Sequence, residues 1–146
     1  MNDFILKKLQ HYCAYQERCH EEVRTKLLSL KIYGDGLEEV MNKLIEDDFL
    51  NEERFAKAYA GGKFRIKKWG RIKIVNELKK RKVTEYCIKQ ALLEIDEDDY
   101  LKELRKLIAA ALKRYRSTNP LETKIKTTRY LISRGYEYPI VQQELK

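Results

Sequence analysis

The chain repeats one three-part pattern three times, and this repetition limits the possible folds more than any single residue does. In each copy a basic amphipathic helix ends in a leucine, and a branched or aromatic residue follows five positions later. The pairs are Leu27 with Ile32, Leu78 with Val83, and Leu131 with Tyr136. The leucines are 51 and then 53 residues apart, and a short apolar helix follows each pair. A period near fifty without a strand signal is typical of tandem helical modules.

The repeat predicts an all-α protein in which three tandem three-helix modules form an elongated, curved helical-repeat molecule. We place the modules at residues 1–48, 49–96 and 97–146. Because 43% apolar residues are divided among three modules, each should bury a thin core and be marginally stable alone.

Apolar residues at helical spacing predict which side of each helix faces inward, and capping residues predict where each helix begins. The inward stripes are expected to include Phe4, Leu9, Cys13, Phe55, Tyr59, Ile66, Ile72, Val75, Leu78, Leu101, Leu104, Ile108, Leu112, Ile125 and Leu131. The predicted N-caps are Cys19, Asp35, Asn51, Thr84, Asp98 or Asp99, and Asn119. Gly34 and Gly135 are expected to end the middle helices of the first and third modules.

The charge of the chain favours a polyanionic partner. A total of 31 basic and 23 acidic side chains gives a net charge of +8 and a pI near 9.3. Residues 57–82 hold eleven Lys or Arg against one Glu, a local charge of +10, and residues 102–134 hold ten against two. Solvated helix faces are the alternative explanation. However, +10 within 26 residues exceeds what solubility requires.

The basic block of the second module is the strongest functional signal. Its cations lie on both sides of Trp69, a pattern that can follow a phosphate backbone while an indole ring stacks on a base. Core packing is the alternative role for Trp69. The candidate binding residues are Arg54, Lys63, Arg65, Lys67, Lys68, Trp69, Arg71, Lys73, Lys79, Lys80, Arg81 and Lys82, with Lys113, Arg114, Lys124, Lys126 and Arg129 of the third module as a second set.

A helix-turn-helix is a further interpretation of residues 71–95, since the length is suitable. In that motif the second helix reads the bases. Here the second helix would carry Lys89 alone, and the charge lies on the first helix. Sequence-nonspecific contact with single- or double-stranded DNA is therefore the better interpretation.

No catalytic or metal-binding constellation emerges from the sequence. His11, Cys13, Cys19 and His20 lack the spacing of paired zinc ligands, and Cys13 already lies on an apolar stripe. The acidic cluster at residues 46–48 fits capping and solubility better than metal catalysis. There is no glycine loop for phosphate and no nucleophile with a paired base. We therefore expect a protein that is not an enzyme and that needs no cofactor and no metal.

The sequence also lacks targeting and membrane signals. Lys7 and Lys8 interrupt the short apolar run at the N-terminus, and no run approaches the roughly 18 apolar residues that span a bilayer. The three cysteines have no disulfide-type spacing. We expect a cytoplasmic monomer without a membrane partner.

Residues 49–92 contain a distinctive series of motifs, namely Leu50-Asn51-Glu52-Glu53-Arg54-Phe55-Ala56, Trp69-Gly70, Ile74 to Leu78, and Ala91-Leu92. Two more motifs are Glu17-Arg18-Cys19 leading to Glu22 and Leu27, and Tyr130-Leu131-Ile132-Ser133-Arg134-Gly135-Tyr136. In these motifs the chain resembles the RecX family of recombination regulators. The chain departs from the family pattern at Cys19, where Ser is usual, at Asn51-Glu52, where two Asp are usual, and at Lys68-Trp69, where Arg and Gly are usual.

This resemblance implies a nonenzymatic modulator that binds RecA filaments, along the helical groove or at an end, and limits the recombinase and coprotease activities of RecA. It also implies DNA binding. Two other hypotheses stay open on the sequence alone. One is a generic DNA- or RNA-binding helical repeat without a RecA partner, and the other is a scaffold whose charge only keeps it in solution.

Overall fold

The computed structural model describes residues 2–146, and nine α-helices follow one another along this range in three sets of three. They are α1 (Asp3–Tyr15), α2 (His20–Ser29), α3 (Gly34–Glu46), α4 (Glu52–Gly62), α5 (Arg71–Lys80), α6 (Glu85–Leu92), α7 (Glu97–Arg114), α8 (Pro120–Ser133) and α9 (Tyr138–Leu145), with a π-helical segment (Lys63–Lys67) after α4. Residues 2–146 contain no β-strand, which confirms the predicted all-α class of tandem three-helix units. The division at residues 48/49 and 96/97 stays a prediction.

The leucine repeat marks three helix ends that are built in the same way. At each end a backbone N–H donates to the carbonyl five residues earlier, which is the bond of a Schellman cap. The bonds run from Ile32 to Leu27 at 3.0 Å, from Val83 to Leu78 at 3.2 Å, and from Tyr136 to Leu131 at 3.1 Å. The residue that turns the chain has a positive φ each time, at Lys31 (62°), Lys82 (59°) and Gly135 (99°). The repeat is therefore the sequence signature of helices that end against a core.

Four of the predicted N-caps are confirmed, at Cys19, Asn51, Thr84 and Asn119. The others are wrong. Helix α7 is capped by Asp96, whose carboxylate accepts from the N–H of Asp99 at 3.0 Å. In the first module the left-handed turn that ends α2 is at Lys31 and not at Gly34. Gly34 also has a positive φ, of 56°, but it is the first residue of α3, so Asp35 lies inside that helix.

The buried side chains form two cores, where we expected three. One core joins α1, α2 and α3 around Leu9, Leu27 and Leu44. The other is shared by the second and third modules and contains Phe55 and Tyr100 among its buried residues. The total accessible surface is 9279 Å², against roughly 7,900 Å² for an average folded protein of this mass. The larger area agrees with an elongated shape, and the predicted curvature stays a prediction.

Backbone groups lock the second and third modules together. The N–H of Gly70 donates to the carbonyl of Arg134 at 2.8 Å, and the N–H of Ile72 donates to that of Gly135 at 2.9 Å. A Cβ atom on Gly70 would lie closer than 3.0 Å to the carbonyl group of Gly135, so only glycine fits there. The hydroxyl of Tyr136 also donates to the carbonyl of Lys68 at 3.1 Å. These contacts form a rigid joint between the two modules.

A buried tyrosine completes this joint. Tyr100 on α7 accepts a hydrogen bond from the backbone N–H of Arg71 at 3.0 Å and donates a short one to Glu137. Its ring lies 5.1 Å from that of Tyr136, centroid to centroid. Burial, followed by the bond to Glu137, raises the pKa of Tyr100 above its ordinary range. The phenol is therefore held protonated as a structural donor.

The first module is joined to the second mainly through ion pairs. Glu17 accepts from Arg54 at 2.5 Å, and Glu21 lies 3.6 Å from Lys82. The apolar link is Cys19, which is buried in the core of the other two modules. Because ion pairs at exposed positions are screened by salt, this joint should be the weaker of the two.

Several residues of the predicted inward stripes face solvent. Phe4 and Ile66 are 71% and 77% exposed, and Ile72 and Ile125 are also exposed. On α5 Leu78 is buried as predicted, together with Ile74, while Val75 is half-buried. On α7 Leu104 and Ile108 are buried as predicted, together with Tyr100 and Ala111, while Leu101 and Leu112 are half-buried. Helix periodicity therefore identified part of each buried face.

Candidate nucleic-acid interface

The predicted binding residues of the second module lie on α4, on the π-helical segment, in the loop at residues 68–70, on α5 and in the turn that follows α5. This part of the chain runs past the joint with the third module. In the π-helical segment each hydrogen bond spans five residues instead of four, so the helix is wider there. The side chain of Arg134 donates a hydrogen bond to the carbonyl of Lys67 and so holds the end of this segment in place. Lys68 then turns the chain with φ at 61°. The rigid joint thus sets where the basic side chains project.

Cations and aromatic rings alternate across this part of the molecule. The ammonium of Lys63 lies 5.0 Å from the centroid of the Trp69 ring, and that of Lys73 lies 4.8 Å from it. Lys63 also lies 5.4 Å from the ring of Tyr59, and the guanidinium of Arg81 lies 4.8 Å from the same ring. We call these five residues the cation–aromatic row. Each such contact contributes roughly 0.5–1 kcal/mol at an exposed site.

The structure places Trp69 in the core-packing role that the sequence left open beside base stacking. Its indole is half-buried, packs against the shared core and meets the ring of Tyr59 edge-on at 6.4 Å. Since two lysine ammonium groups already lie within cation–π distance, the ring positions cations more readily than it offers a free face to a base. Tyr59 was missed as a site residue because its spacing marked it as core.

Two predicted binding residues are bound within the protein. Arg71 bonds Glu137 at 3.0 Å and also Glu97, and its guanidinium lies 3.8 Å from the centroid of the Tyr100 ring. Burial acts to lower the pKa of Arg71, and the attraction of Glu137 more than offsets it, so the pKa is raised. These contacts make Arg71 part of the joint between the second and third modules.

Arg54 is held in the same manner at the other joint. Besides Glu17, its guanidinium contacts the carboxylate of Asp48 at 3.1 Å and donates to the Asp48 carbonyl at 3.0 Å. The hydrogen bond to Glu17 is the main reason that the pKa of Arg54 is raised. Neither Arg54 nor Arg71 is free to bind phosphate without losing an internal partner.

The remaining predicted cations of the second module divide into two groups. Those with a carboxylate partner are Lys68 (Glu103, 3.8 Å), Lys80 (Glu77, 3.3 Å), Arg81 (Glu77, 3.8 Å) and Lys82 (Glu21, 3.6 Å). Those without an ion pair to any residue in the 2–146 range are Lys63, Arg65, Lys67, Lys73 and Lys79. The residues of the second group can bind an anionic ligand without breaking an internal ion pair.

The predicted third-module cations lie on α7 and α8. Lys126 pairs with Glu122 at 3.0 Å, and Arg114 lies near the rings of Tyr115 and Tyr130 at 5.4 and 5.9 Å. Lys113, Lys124 and Arg129 are exposed, and the first two line one groove. The cation–aromatic row is the better candidate for binding phosphate, because two of its lysines lie within 5.0 Å of one indole ring.

The residues considered for zinc do not lie together. Cys13 is buried in the first core and Cys19 in the shared core, and burial raises the pKa of each thiol to about 11. Such a thiol is protonated at neutral pH and binds metal poorly. In residues 2–146 no three His, Cys, Asp or Glu side chains are grouped so that they could hold a metal ion. None of the helices in this range is long and apolar enough to cross a membrane.

Two family models match parts of this chain. One, described as "RecX, second three-helix domain", matches residues 51–92, and another, "RecX, third three-helix domain", matches residues 97–145. Together they cover more than half of the 146 residues.

Two curated relatives illustrate the similarity over nearly the whole chain. The regulatory protein RecX of Halalkalibacterium halodurans is 27% identical over 91% of this chain and 50% of the relative. That of Clostridium acetobutylicum is 29% identical over 88% of this chain and 61% of the relative. The chain therefore spans about half the length of the curated relatives it matches.

Solved structures agree with the helical architecture. A crystal structure of RecX from Lactobacillus salivarius superposes with a TM-score of 0.89 at 24% identity, covering 98% of this chain and 93% of that chain. A second crystal structure, of a regulatory protein RecX, gives 0.88 at 18% identity, covering 98% and 70%. At these identities the likeness establishes the fold. Together with the family models and the relatives, it shows that the chain belongs to the RecX family of regulatory proteins.

Proposed function

We propose that this protein is a nonenzymatic regulator that binds DNA and RecA filaments and limits the recombinase and coprotease activities of RecA. Membership of a family of regulatory proteins supports the general role. The observation that carries the DNA part is the cation–aromatic row, in which Lys63 and Lys73 are oriented by aromatic rings and make no ion pair with residues 2–146.

The expected mode of DNA binding is nonspecific and phosphate-driven. Lysine ammonium groups on flexible stems contact phosphates without reading bases. Helix α6, which would read bases in a helix-turn-helix, carries Lys89 as its one basic residue. Sequence preference should therefore be slight for both single and double strands.

The salt dependence of binding follows from the number of available cations. If the five cations Lys63, Arg65, Lys67, Lys73 and Lys79 each neutralise a phosphate of single-stranded DNA, log affinity should fall with log salt at a slope of roughly −3.5. Replacing Lys63, Lys67 and Lys73 by Gln should leave about two contacts and a slope of roughly −1.4. Arg71 is kept, because its removal would open the joint.

A charge-matched control separates this site from general basicity. Lys7, Lys8 and Lys89 are exposed and make no ion pair with residues 2–146. Their replacement by Gln lowers the net charge equally, yet should leave the slope near that of the unmodified protein. The fluorescence anisotropy of a labelled oligonucleotide, titrated with each of the three proteins at several salt concentrations, gives the slope of log affinity against log salt. Equal slopes for the two variants would place the DNA surface elsewhere.

The RecA part needs its own assay, because DNA binding alone would also suit a generic nucleic-acid-binding protein. ATP hydrolysis and strand exchange by RecA on single-stranded DNA should fall when this protein is present at far below one molecule per RecA protomer. Loss of activity only when the protein saturates the DNA would favour simple competition and the generic alternative.

A further inference from the structure

The third module carries a groove that differs in chemistry from the cation–aromatic row. It lies between the C-terminal half of α7 and the start of α8 and has a volume of about 540 Å³. Ala109, Leu112 and Pro120 give it an apolar lining, and Lys113, Arg116 and Lys124 supply its charge. This volume is within the roughly 300–1,000 Å³ of small ligand sites.

The charge of this groove is not neutralised by the protein. None of its lining residues is acidic, and Lys113, Arg116 and Lys124 make no ion pair with any residue of the 2–146 range. Glu122, the acidic residue next in sequence to the groove, bonds Lys126 at 3.0 Å. The groove therefore attracts an anion while its lining attracts an apolar group.

A second cleft of the molecule provides a contrast. It lies between the first and second modules and has a volume of about 410 Å³. There Glu17 and Glu22 face Lys63 and Arg81, so the lining carries as many acids as bases. That cleft is therefore neutral, whereas the charged residues that line the groove of the third module are all cations.

The lining argues against a nucleic acid in this groove. Proteins that hold single strands stack bases on aromatic rings, and no aromatic side chain lines the groove. The hydroxyls of Ser117 and Thr123, its remaining lining residues, lie 3.2 Å apart and contact each other. An apolar side chain flanked by carboxylates would satisfy both the lining and the cations.

We propose that this groove binds a short acidic protein segment that carries an apolar anchor residue. The anchor lies against Ala109, Leu112 and Pro120, and flanking carboxylates pair with Lys113, Arg116 and Lys124. The partial exclusion of water by the lining strengthens those pairs relative to fully exposed ones. The proposal adds a protein-binding surface to the molecule and does not depend on DNA binding through the second module.

The test uses a fluorescein-labelled peptide in which a leucine pair is flanked by glutamates, with anisotropy as the readout. Lys113→Glu with Lys124→Glu should weaken binding by about tenfold or more, because each reversal replaces an attraction by a repulsion. Lys102→Glu with Lys106→Glu is the charge-matched control. Both residues are exposed on α7 outside the groove, and this pair should change the affinity by less than about threefold.

A second pair of measurements tests the apolar part. Replacing the leucines of the peptide by serine should weaken binding, and Ala109→Gln, which inserts a polar side chain into the groove, should do the same while DNA affinity is unchanged. Equal weakening by both charge-reversed pairs, equal binding of both peptides or no binding at all would overturn the proposal. Displacement of the peptide by an oligonucleotide whose own binding needs Lys113 and Lys124 would identify a nucleic-acid groove instead.

Discussion

The joint between the second and third modules predicts an unusually large cost for a very small substitution, Gly70→Ala. Gly70 has φ −77° and ψ 167°, which alanine adopts without strain. The added methyl group would nevertheless overlap the carbonyl group of Gly135 and the amide nitrogen of Tyr136. Since these are backbone atoms, no side-chain rotation relieves the overlap, and the two loops must separate.

The magnitude can be estimated from what separation breaks. Overpacking costs about 1–3 kcal/mol. The bonds from Gly70 to Arg134 at 2.8 Å and from Ile72 to Gly135 at 2.9 Å are each worth about 0.5–1.5 kcal/mol. Gly70→Ala should therefore lower the free energy of unfolding by about 2–6 kcal/mol.

Gly62→Ala is the matched control. A Cβ atom on Gly62 would meet nothing within 4 Å, and the residue lies in α4, where alanine is favoured over glycine by roughly 1 kcal/mol. Urea denaturation followed by circular dichroism compares the two variants. If Gly70→Ala stayed within about 0.5 kcal/mol of the unmodified protein, the backbone contact would not be a constraint on the fold.

Three further predictions concern single side chains. Phe55→Ala should lower the free energy of unfolding by about 3–5 kcal/mol, and with it the melting temperature, because the ring is buried. A variant that melts at the normal temperature but loses RecA binding would show that the ring contacts RecA. Arg54→Ala should lower the free energy of unfolding by about 1 kcal/mol, because Glu17 loses its partner and the ion pair is partly exposed to solvent. Urea denaturation measures this change, and an unchanged free energy would mean that the ion pair is not formed in solution. Burial and then Glu137 raise the pKa of Tyr100, so the stability that the neutral phenol gives is complete below about pH 10 and is lost as the pH rises above it. Tyr100→Phe should lower the free energy of unfolding by about 1.5–3 kcal/mol at neutral pH and should reduce the loss of stability at alkaline pH. If the variant kept the same dependence of stability on pH, the role of the Tyr100 hydroxyl would be contradicted.

The helix ends were the most predictable part of the fold, because caps depend on residues close in sequence. Asn51, Thr84 and Asn119 satisfy backbone N–H groups two or three residues away. The leucine repeat could be found without any structure, since a Schellman cap needs a fixed spacing. Its turning residue was less predictable, because Lys31 and Lys82 take a conformation that glycine usually supplies.

The buried faces were less predictable, because neighbouring modules decide them. Ile72 and Ile74 both fit a helical stripe on α5, but Ile74 is buried in the core shared by the second and third modules and Ile72 is exposed. Tyr100 was missed because the acceptor of its hydroxyl is distant in the sequence. That acceptor, Glu137, lies 37 residues away in sequence.

The same limit applies to the candidate site. The local charge of the sequence located the basic block. It could not show which cations form ion pairs within the protein and which are available to a ligand. Arg71 is bound by Glu97 and Glu137, which lie 26 and 66 residues further along the chain. Arg54 is bound by Glu17 of the first module. Partners at such separations become visible only in the folded molecule.

The most direct test of the proposed regulation is the rate of ATP hydrolysis by RecA on single-stranded DNA, titrated with three proteins. The unmodified protein should lower the rate at far below one molecule per RecA protomer, and the variant with Lys7, Lys8 and Lys89 replaced by Gln should act alike. The variant with Lys63, Lys67 and Lys73 replaced by Gln should need a higher concentration for the same effect. An unchanged rate at equimolar unmodified protein would contradict RecA regulation, and equal potency of both variants would contradict the role of Lys63, Lys67 and Lys73.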